Sequence, residues 1–132
     1  MIVTQLQLTM AKQKSKKKNR PEKISDSILM ENIKIAVVEG NYRKMPHAQD
    51  RGIERKILKT EFEHVLKTGR RAKKHDQFKE IYKQWNYAIE GRTLDDRSIR
   101  VAVSFDEDGL LIITLIDLDL QEEDLYEKEE RN

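Results

Sequence analysis

The hydrophobic pattern of this chain changes its period about halfway along. In residues 25–39 and 53–67, apolar side chains recur at the three- and four-residue spacing of helices, and "NYRKMP" between them is predicted to be a short connector or strand. From residue 85 onward, "WNYAIEG" and "RSIRVAVSF" alternate apolar and polar residues as half-buried strands do, and "LLIITLIDL" is apolar enough for a strand covered on both faces. The tight-turn sequence "DEDG" separates the last two segments. The pattern therefore predicts an α+β domain, with a meander of at least three antiparallel strands and the helices packed on one face.

The first half of the chain carries signals of helix starts. Residues 25–39 are predicted to form one helix, and Pro46 suits the first turn of a second. Residues 53–67 continue the helical spacing, but Thr60 and Glu63 match a capping box inside this segment. The segment is therefore predicted to be either one helix or two short ones.

Charge is segregated toward the two ends of the chain, although the formal net charge is only +2. Residues 11–24 contain seven basic residues and one acid, whereas eight acids and two bases lie from residue 117 onward. Residues 1–24 cannot bury enough apolar surface to offset the entropy lost on ordering, so we predict a disordered basic arm there. A single domain is predicted at 25–117 and an acidic tail at 118–132.

The sequence lacks residues that several classes of function require. The chain has no cysteine, which excludes disulfides and thiolate chemistry. No apolar run approaches the ~18 residues of a membrane helix. The start "MIVTQLQLTM" also lacks the features of a signal peptide, so we predict a cytoplasmic protein that does not enter the membrane. His64 and His75 have no partner at metal-ligand spacing, and no phosphate loop or nucleophile elbow is present, so no metal or cofactor is expected.

The stretch "PHAQDRGIERK" places His47 four residues before Arg51. On a continuous helix both side chains leave the same face. Histidine exchanges protons near neutral pH and the arginine fork binds phosphate, so the pair suits cleavage of a phosphodiester without a metal. The alternative is an ordinary exposed polar start of a helix, and the spacing alone favours that alternative.

Two strand residues could complete such a site. Arg100 falls on the face opposite Ile99 and Val101, where it could lie beside His47 and stabilise developing negative charge. The alternative for Arg100 is a solvated residue paired with a neighbouring acid. Thr114 interrupts a run of Leu and Ile, so its hydroxyl either bonds within the fold or faces a cleft.

Basic and aromatic residues interleave between residues 69 and 87. Cations there could bind phosphates while rings stack on bases, as in proteins that bind single-stranded nucleic acid. The alternatives are that Phe78 and Trp85 belong to the core and that the lysines are ordinary surface residues. With Arg55 added from the helical segment, the predicted nucleic-acid-binding residues are Arg55, Arg70, Arg71, Lys73, Lys74, His75, Lys79 and Tyr82.

Three segments resemble, in their order and spacing, a family of small bacterial domains of unknown function. They are "HAQDRGI", "YAIEGRTLDDRSIRVAVSF" and "LLIIT". Those domains are grouped with the RelE and ParE toxins, in the wider class of barnase and colicin nucleases. The resemblance covers about residues 42–117. It implies a RelE-like α+β fold, with N-terminal helices packed on one face of a curved antiparallel sheet of three to four strands.

Relatives in the wider class cut RNA without a metal, so the resemblance also implies roles for single residues. His47 would be the acid or base, Arg51 and Arg100 would contact the phosphate or transition state, and Thr114 would supply a supporting hydroxyl. Family members often have one arginine a turn after the histidine and a second in the Arg-Gly-Ile step. Here Arg51 could correspond to either, and Arg55 could substitute for the other.

Together these observations predict a toxin-like RNA-binding protein, a metal-independent endoribonuclease that uses general acid and base chemistry. The expected partners are RNA and a cognate antitoxin protein. The alternative is a non-catalytic module that binds nucleic acid or protein with the same sheet. A third possibility is that the acidic tail masks the basic groove or pairs with the arm of another copy.

Overall fold

The computed structural model describes residues 20–120, which form an α+β domain with three helices and a mixed sheet of six strands. The helices are α1 (Asp26–Glu39), α2 (Pro46–Glu54) and α3 (Lys59–Thr68). The strands are β1 (Tyr42–Lys44), β2 (Arg70–Arg71), β3 (Gln77–Lys79), β4 (Gln84–Arg92), β5 (Ser98–Asp106) and β6 (Gly109–Asp117). Most of the predicted basic arm, up to residue 19, and most of the predicted acidic tail, from residue 121, lie outside the described residues.

The helical predictions are confirmed for α1 and α2, whereas a single helix over 53–67 is wrong. Gly40 ends α1 in the left-handed conformation, with φ of 71°. Lys56 also takes a positive φ, of 54°, and this turn separates α2 from α3. The N-cap of α3 is Leu58, so Thr60 lies inside the helix and the predicted capping box is not its start.

The break between α2 and α3 has a packing reason. Ile53 and Ile57 are four residues apart and would share one face of a continuous helix. In the structure Ile57 is buried and Ile53 is exposed, because the turn at Lys56 directs only Ile57 into the core. The spacing of apolar residues therefore predicts helical structure here but not which of those residues are buried.

The sheet has the strand order β1-β6-β5-β4-β2, and β3 also pairs with β4. Strands β4, β5 and β6 form the predicted antiparallel meander. The prediction of three to four strands, all antiparallel, is corrected in number and in type. β1 adds parallel to β6, and β2 and β3 add antiparallel to β4. These extra strands are two or three residues long, which is too short for an alternating pattern to be visible.

The helices cover one face of the sheet, as predicted. Alternate side chains of the three long strands point toward the helices and bury their apolar surface there. Phe62 of α3 is fully buried, and its ring meets that of Tyr42 edge to face with centroids 5.8 Å apart. The other fully buried core residues include Leu29, Ile33, Val65, Leu66, Ile89, Ile99, Val101, Val103, Leu110, Ile112 and Leu115.

Gly69 allows α3 to end directly against β4. A Cβ at Gly69 would lie 2.5 Å from the carbonyl oxygen of Glu90 and 2.6 Å from that of Val65. Both oxygens belong to the backbone, so the main chain must shift to admit a methyl group. We expect Gly69→Ala to lower the free energy of unfolding by about 1–3 kcal/mol, the usual cost of overpacking. Urea unfolding measures it, with the exposed Lys67→Ala as the control; equal midpoints for the two variants would contradict the prediction.

The opposite face of the sheet is open, because no helix in residues 20–120 packs on it. The prediction that β6 is covered on both faces is therefore wrong, because Ile113 and Ile116 are only half-buried on the open side. Ala102 pairs with Thr114 while Val103 pairs with Ile112, so Ile113 is an extra residue in β6. Such a bulge bends the strand and redirects its side chains.

Candidate functional site

A cleft of about 250 Å³ lies on the open face of the sheet. Small or branched apolar side chains of β4, β5 and β6 contribute to its lining, namely Ala88, Ala102, Ile113 and Ile116. The polar residues that line it are His47, His75, Gln77, Lys79, Asn86, Arg100 and Thr114. Pockets that enclose drug-sized ligands measure ~300 to 1,000 Å³, so this cleft suits a group no larger than a single nucleotide.

His47 reaches the cleft from the start of α2. The chain stays paired to β6 until the Met45 amide donates to the Ile112 carbonyl at 2.9 Å. Pro46 then begins α2 beside the bulge of β6. Ala48 is fully buried and anchors the helix in the core, whereas its neighbour His47 stays exposed at the cleft.

The opposite side of the cleft comes from β3 and from the 3-10 turn Lys73–His75 that precedes it. Asp76 holds this segment in place. Its side chain is fully buried, and its Oδ1 accepts a hydrogen bond from the Ala88 amide at 3.0 Å. Because Asp76 lies between the turn and β3, this bond fixes both against β4 and places His75, Gln77 and Lys79 at the cleft.

Arg100 is the cleft's cation from the middle strand, β5. Its Nε donates to Oε2 of Glu90, its register partner on β4, at 2.7 Å, so the predicted alternative of pairing with an acid is also realised. Among residues 20–120 Arg100 makes no other hydrogen bond, which leaves Nη1 and Nη2 for a ligand. The cleft-lining residues of this region include His47, His75, Lys79 and Arg100 but no acid, so the cleft suits an anion.

Four predicted arginines do not line the cleft, and three of them, Arg51, Arg55 and Arg70, have other contacts or line another cavity. Arg51 pairs with Glu54 of its own helix at 2.7 Å. Arg55 donates from Nη1 to the Leu115 carbonyl at 3.1 Å. Arg70 lines a different cavity, of about 470 Å³, beside the end of α3.

Arg71, predicted to bind nucleic acid, is held in a buried ion pair. Its side chain is 3 % exposed, and its Nη2 lies 2.8 Å from Oδ2 of Asp76. Nη1 donates to the Ile24 carbonyl at 2.6 Å and to Asp26 at 2.7 Å, and the guanidinium lies 5.0 Å from the centroid of the Tyr87 ring. These contacts tie residues 24–26 and the 3-10 turn to the sheet, so Arg71 supports the cleft wall without lining it.

The remaining predicted residues lie near His75 or in the next turn. Lys73 and Lys74 are exposed on the same 3-10 turn as His75, where their charge adds to the positive field at the cleft. Tyr82 is 72 % exposed in the turn between β3 and β4. Phe78 and Trp85 pack edge to face with centroids 5.4 Å apart. The alternative that both rings belong to the core holds for Trp85, which packs against the core cluster.

Sequence reasoning missed Gln77 and Asn86, which are register partners at the cleft. The signal for Asn86 was present, because the alternation of "WNYAI" places it on the face opposite Trp85 and Tyr87. Gln77 gave no signal, since β3 is only three residues long.

A second polar cluster, centred on Arg97, was also missed. The Arg97 guanidinium donates to the carbonyls of Arg55 and Lys56, each at 2.8 Å, and pairs with the buried Glu61 at 3.3 Å. Hydrogen bonds, above all the one with the Glu61 side chain, lower the pKa of Asp95 to about 2. The stability that the ionised Asp95 side chain contributes is therefore complete above its ordinary pKa of 3.8 and is lost as the pH falls toward 2. The cluster joins the α2–α3 turn to the β4–β5 turn.

Two further properties concern the described part of the chain. Across residues 20–120, no helix combines the length and the apolar character that crossing a membrane requires. The same residues contain no group of three or more His, Asp or Glu side chains arranged to hold a metal ion.

The fold and the cleft define a class of protein: a small α+β domain with helices on one face of a mixed sheet and a basic cleft on the other. The chain belongs to the family described as Domain of unknown function (DUF4258), whose pattern matches residues 45–117. The predicted membership of a family of domains of unknown function is thus confirmed. Of the residues that the structure describes, all those that line the cleft fall within the matched segment, whereas α1 and β1 precede it. Comparisons with curated proteins and with solved structures found no match.

Proposed function

We propose that this protein is a toxin-like endoribonuclease with a RelE-like domain, and that the cleft binds RNA and cleaves it. The observation that carries the proposal is that His47, Arg100 and Thr114 line one cleft although they come from three different elements. The family resemblance implies a role in phosphodiester cleavage for each of the three.

The chemistry of these side chains suits a phosphodiester. His47 is exposed at the cleft, and histidine is the side chain that most often serves as a general acid or base. Arg100 has its terminal nitrogens available for phosphate oxygens, where charge develops in the transition state. Thr114 can donate a hydrogen bond from its hydroxyl. General acid and base catalysis with these groups requires no metal.

The surroundings of the cleft suit a single strand of RNA. Its volume admits about one nucleotide, so a base-paired helix would not enter. Lys73 and Lys74 beside the cleft can bind neighbouring phosphates, and the exposed ring of Tyr82 can stack on a base. The basic arm would add phosphate contacts, and a cognate antitoxin would be the protein partner. A small reading frame for a DNA-binding protein beside this gene would support that partner.

Purified protein is expected to cleave single-stranded RNA at the same rate with and without EDTA. Arg100→Ala is expected to lower kcat by about 10²–10³-fold, because it removes a donor that stabilises the charged transition state. Arg43→Ala is the matched control, since Arg43 pairs with Asp106 outside the cleft. Gel analysis of a labelled RNA measures the rates, and circular dichroism verifies that each variant is folded. Loss of wild-type cleavage on adding EDTA would refute the metal-independent mechanism.

The alternative function, a non-catalytic binding module, is favoured by one observation: Glu90 partly neutralises Arg100 by pairing with it at 2.7 Å. A binding module would hold RNA with an affinity that falls steeply with salt, since phosphate contacts release counterions. Salt-dependent binding without cleavage at any pH from ~5 to 9 would replace the nuclease proposal with this one.

A further inference from the structure

We propose that His75 is the second proton-transfer residue of the cleft, acting together with His47, and that the nucleophile is the 2′-hydroxyl of the RNA substrate. This inference rests on the proposed ribonuclease function. It adds a catalytic residue to that function and restricts the substrate to nucleic acid with a ribose at the cleaved position.

The two histidines approach the cleft from opposite sides of β5. His47 lies on α2, beside β6, and His75 lies on the 3-10 turn that leads into β3, beside β4. Strand β5 runs between β6 and β4 and contributes Arg100. A phosphate bound by Arg100 would therefore have one imidazole on each side, which is the arrangement that an in-line displacement at phosphorus requires.

The turn that carries His75 is held rigidly. The His75 amide donates to the Ala72 carbonyl at 2.8 Å, and the Asp76 amide donates to the Lys73 carbonyl at 3.1 Å. The buried Asp76 side chain then binds the Ala88 amide of β4. These bonds fix the main chain at His75, so the imidazole enters the cleft from a defined position.

Residue type also singles out the two histidines. Among the cleft-lining residues of the described chain, only histidines can act as both acid and base near neutral pH, because lysine and arginine side chains stay protonated there. The charged residues that line the cleft together with His75 are Lys79 from β3 and Arg100 from β5, and Lys73 and Lys74 lie in its own turn. The Asp76 carboxylate does not line the cleft, because it pairs with Arg71 and Lys23.

The step balances with the groups present. One histidine, as base, removes the proton of the 2′-hydroxyl, and the 2′-oxygen forms a bond to the adjacent phosphorus. The bond from phosphorus to the 5′-oxygen of the next nucleotide breaks, and the other histidine, as acid, gives that oxygen a proton. The products are a 2′,3′-cyclic phosphate and a free 5′-hydroxyl. The charge that develops on the phosphate oxygens faces Arg100.

The test compares single-stranded RNA with DNA of the same sequence, incubated with the full chain between pH ~5 and 9. Wild-type protein is expected to cleave only the RNA, with a bell-shaped pH profile, and mass spectrometry should find 2′,3′-cyclic phosphate ends. His75→Ala is expected to lower kcat by at least about 10²-fold and to remove one limb of the bell. His75→Gln, which keeps a polar side chain of similar size, should lose the same limb. The control is His64→Ala, on α3 outside the cleft, which should retain the whole profile.

The outcomes separate this inference from the function on which it rests. RNA cleavage that His75→Ala and His75→Gln leave unchanged would overturn the role of His75 while the ribonuclease function stands. Equal cleavage of DNA would overturn the 2′-hydroxyl as nucleophile. A wild-type protein that cleaves no RNA would refute the proposed function itself, and the inference with it.

Discussion

His47→Ala is expected to lower the rate of RNA cleavage by about 10²–10⁴-fold, the usual contribution of a general acid or base. His47 is exposed on the first turn of α2, and the described residues form no hydrogen bond with its side chain, so its removal should leave the fold intact. The loss should therefore fall on kcat, with little change in KM, because Arg100 and the surrounding lysines still bind the phosphates.

Steady-state kinetics on a labelled RNA measures this effect, and expression in bacteria provides a second readout. The wild-type protein is expected to arrest growth, and His47→Ala to relieve the arrest. His64→Ala is the matched control, because His64 is a histidine on the helical side of the domain. If His47→Ala cleaved RNA and arrested growth as the wild type does, His47 would have no catalytic role.

Arg71→Met is expected to lower the free energy of unfolding by about 3–5 kcal/mol, because it leaves the buried Asp76 carboxylate without its main partner. The methionine fills much of the space of the arginine stem but cannot pair with Asp76, Asp26 or the Ile24 carbonyl. Lys23, 3.5 Å from Asp76, compensates in part. For a domain of this size each kcal/mol shifts Tm by roughly 4–8 °C, so thermal unfolding should reveal a large decrease.

A double variant identifies the cause of that decrease. In Arg71→Met/Asp76→Asn the buried charge is absent, while the asparagine oxygen can still accept the hydrogen bond of the Ala88 amide. The double variant should therefore be more stable than Arg71→Met alone. A Tm of Arg71→Met within a few degrees of the wild type would show that the pair contributes little to stability.

The main features of the fold could be predicted from periodicity, because long elements repeat their pattern several times. The meander β4–β5–β6 has nine residues in each strand, enough to display alternation. β1, β2 and β3 have two or three, so their pairing depends on tertiary contacts. The position of the α2–α3 break follows from the burial of Ile57, which no local signal specifies.

His47, Arg100 and Thr114 could be chosen as candidate site residues, because each is a polar residue that stands out among the neighbours in its own element. Arg51 shares a helix face with His47, but its side chain pairs with Glu54 and does not line the cleft. Asp76 could not be identified as the anchor of the cleft wall, since its pairing with Arg71 and with the Ala88 amide depends on how β2, the 3-10 turn and β4 meet. Spacing along one element predicts a shared face, whereas a cleft depends on how separate elements meet.

The parallel pairing of β1 determines which backbone groups stand at the border of the sheet. Strand β6 lies near one border of the sheet and carries the apolar run Leu110–Ile112 along its length. β1 occupies the hydrogen-bonding groups of this part, and Arg55 binds the Leu115 carbonyl further along. An unoccupied strand border of this kind is a template for edge-to-edge aggregation. The residues just before the family segment thus replace a long apolar edge strand by one of three residues that carries Arg43 and Lys44, a poorer template for pairing with another chain.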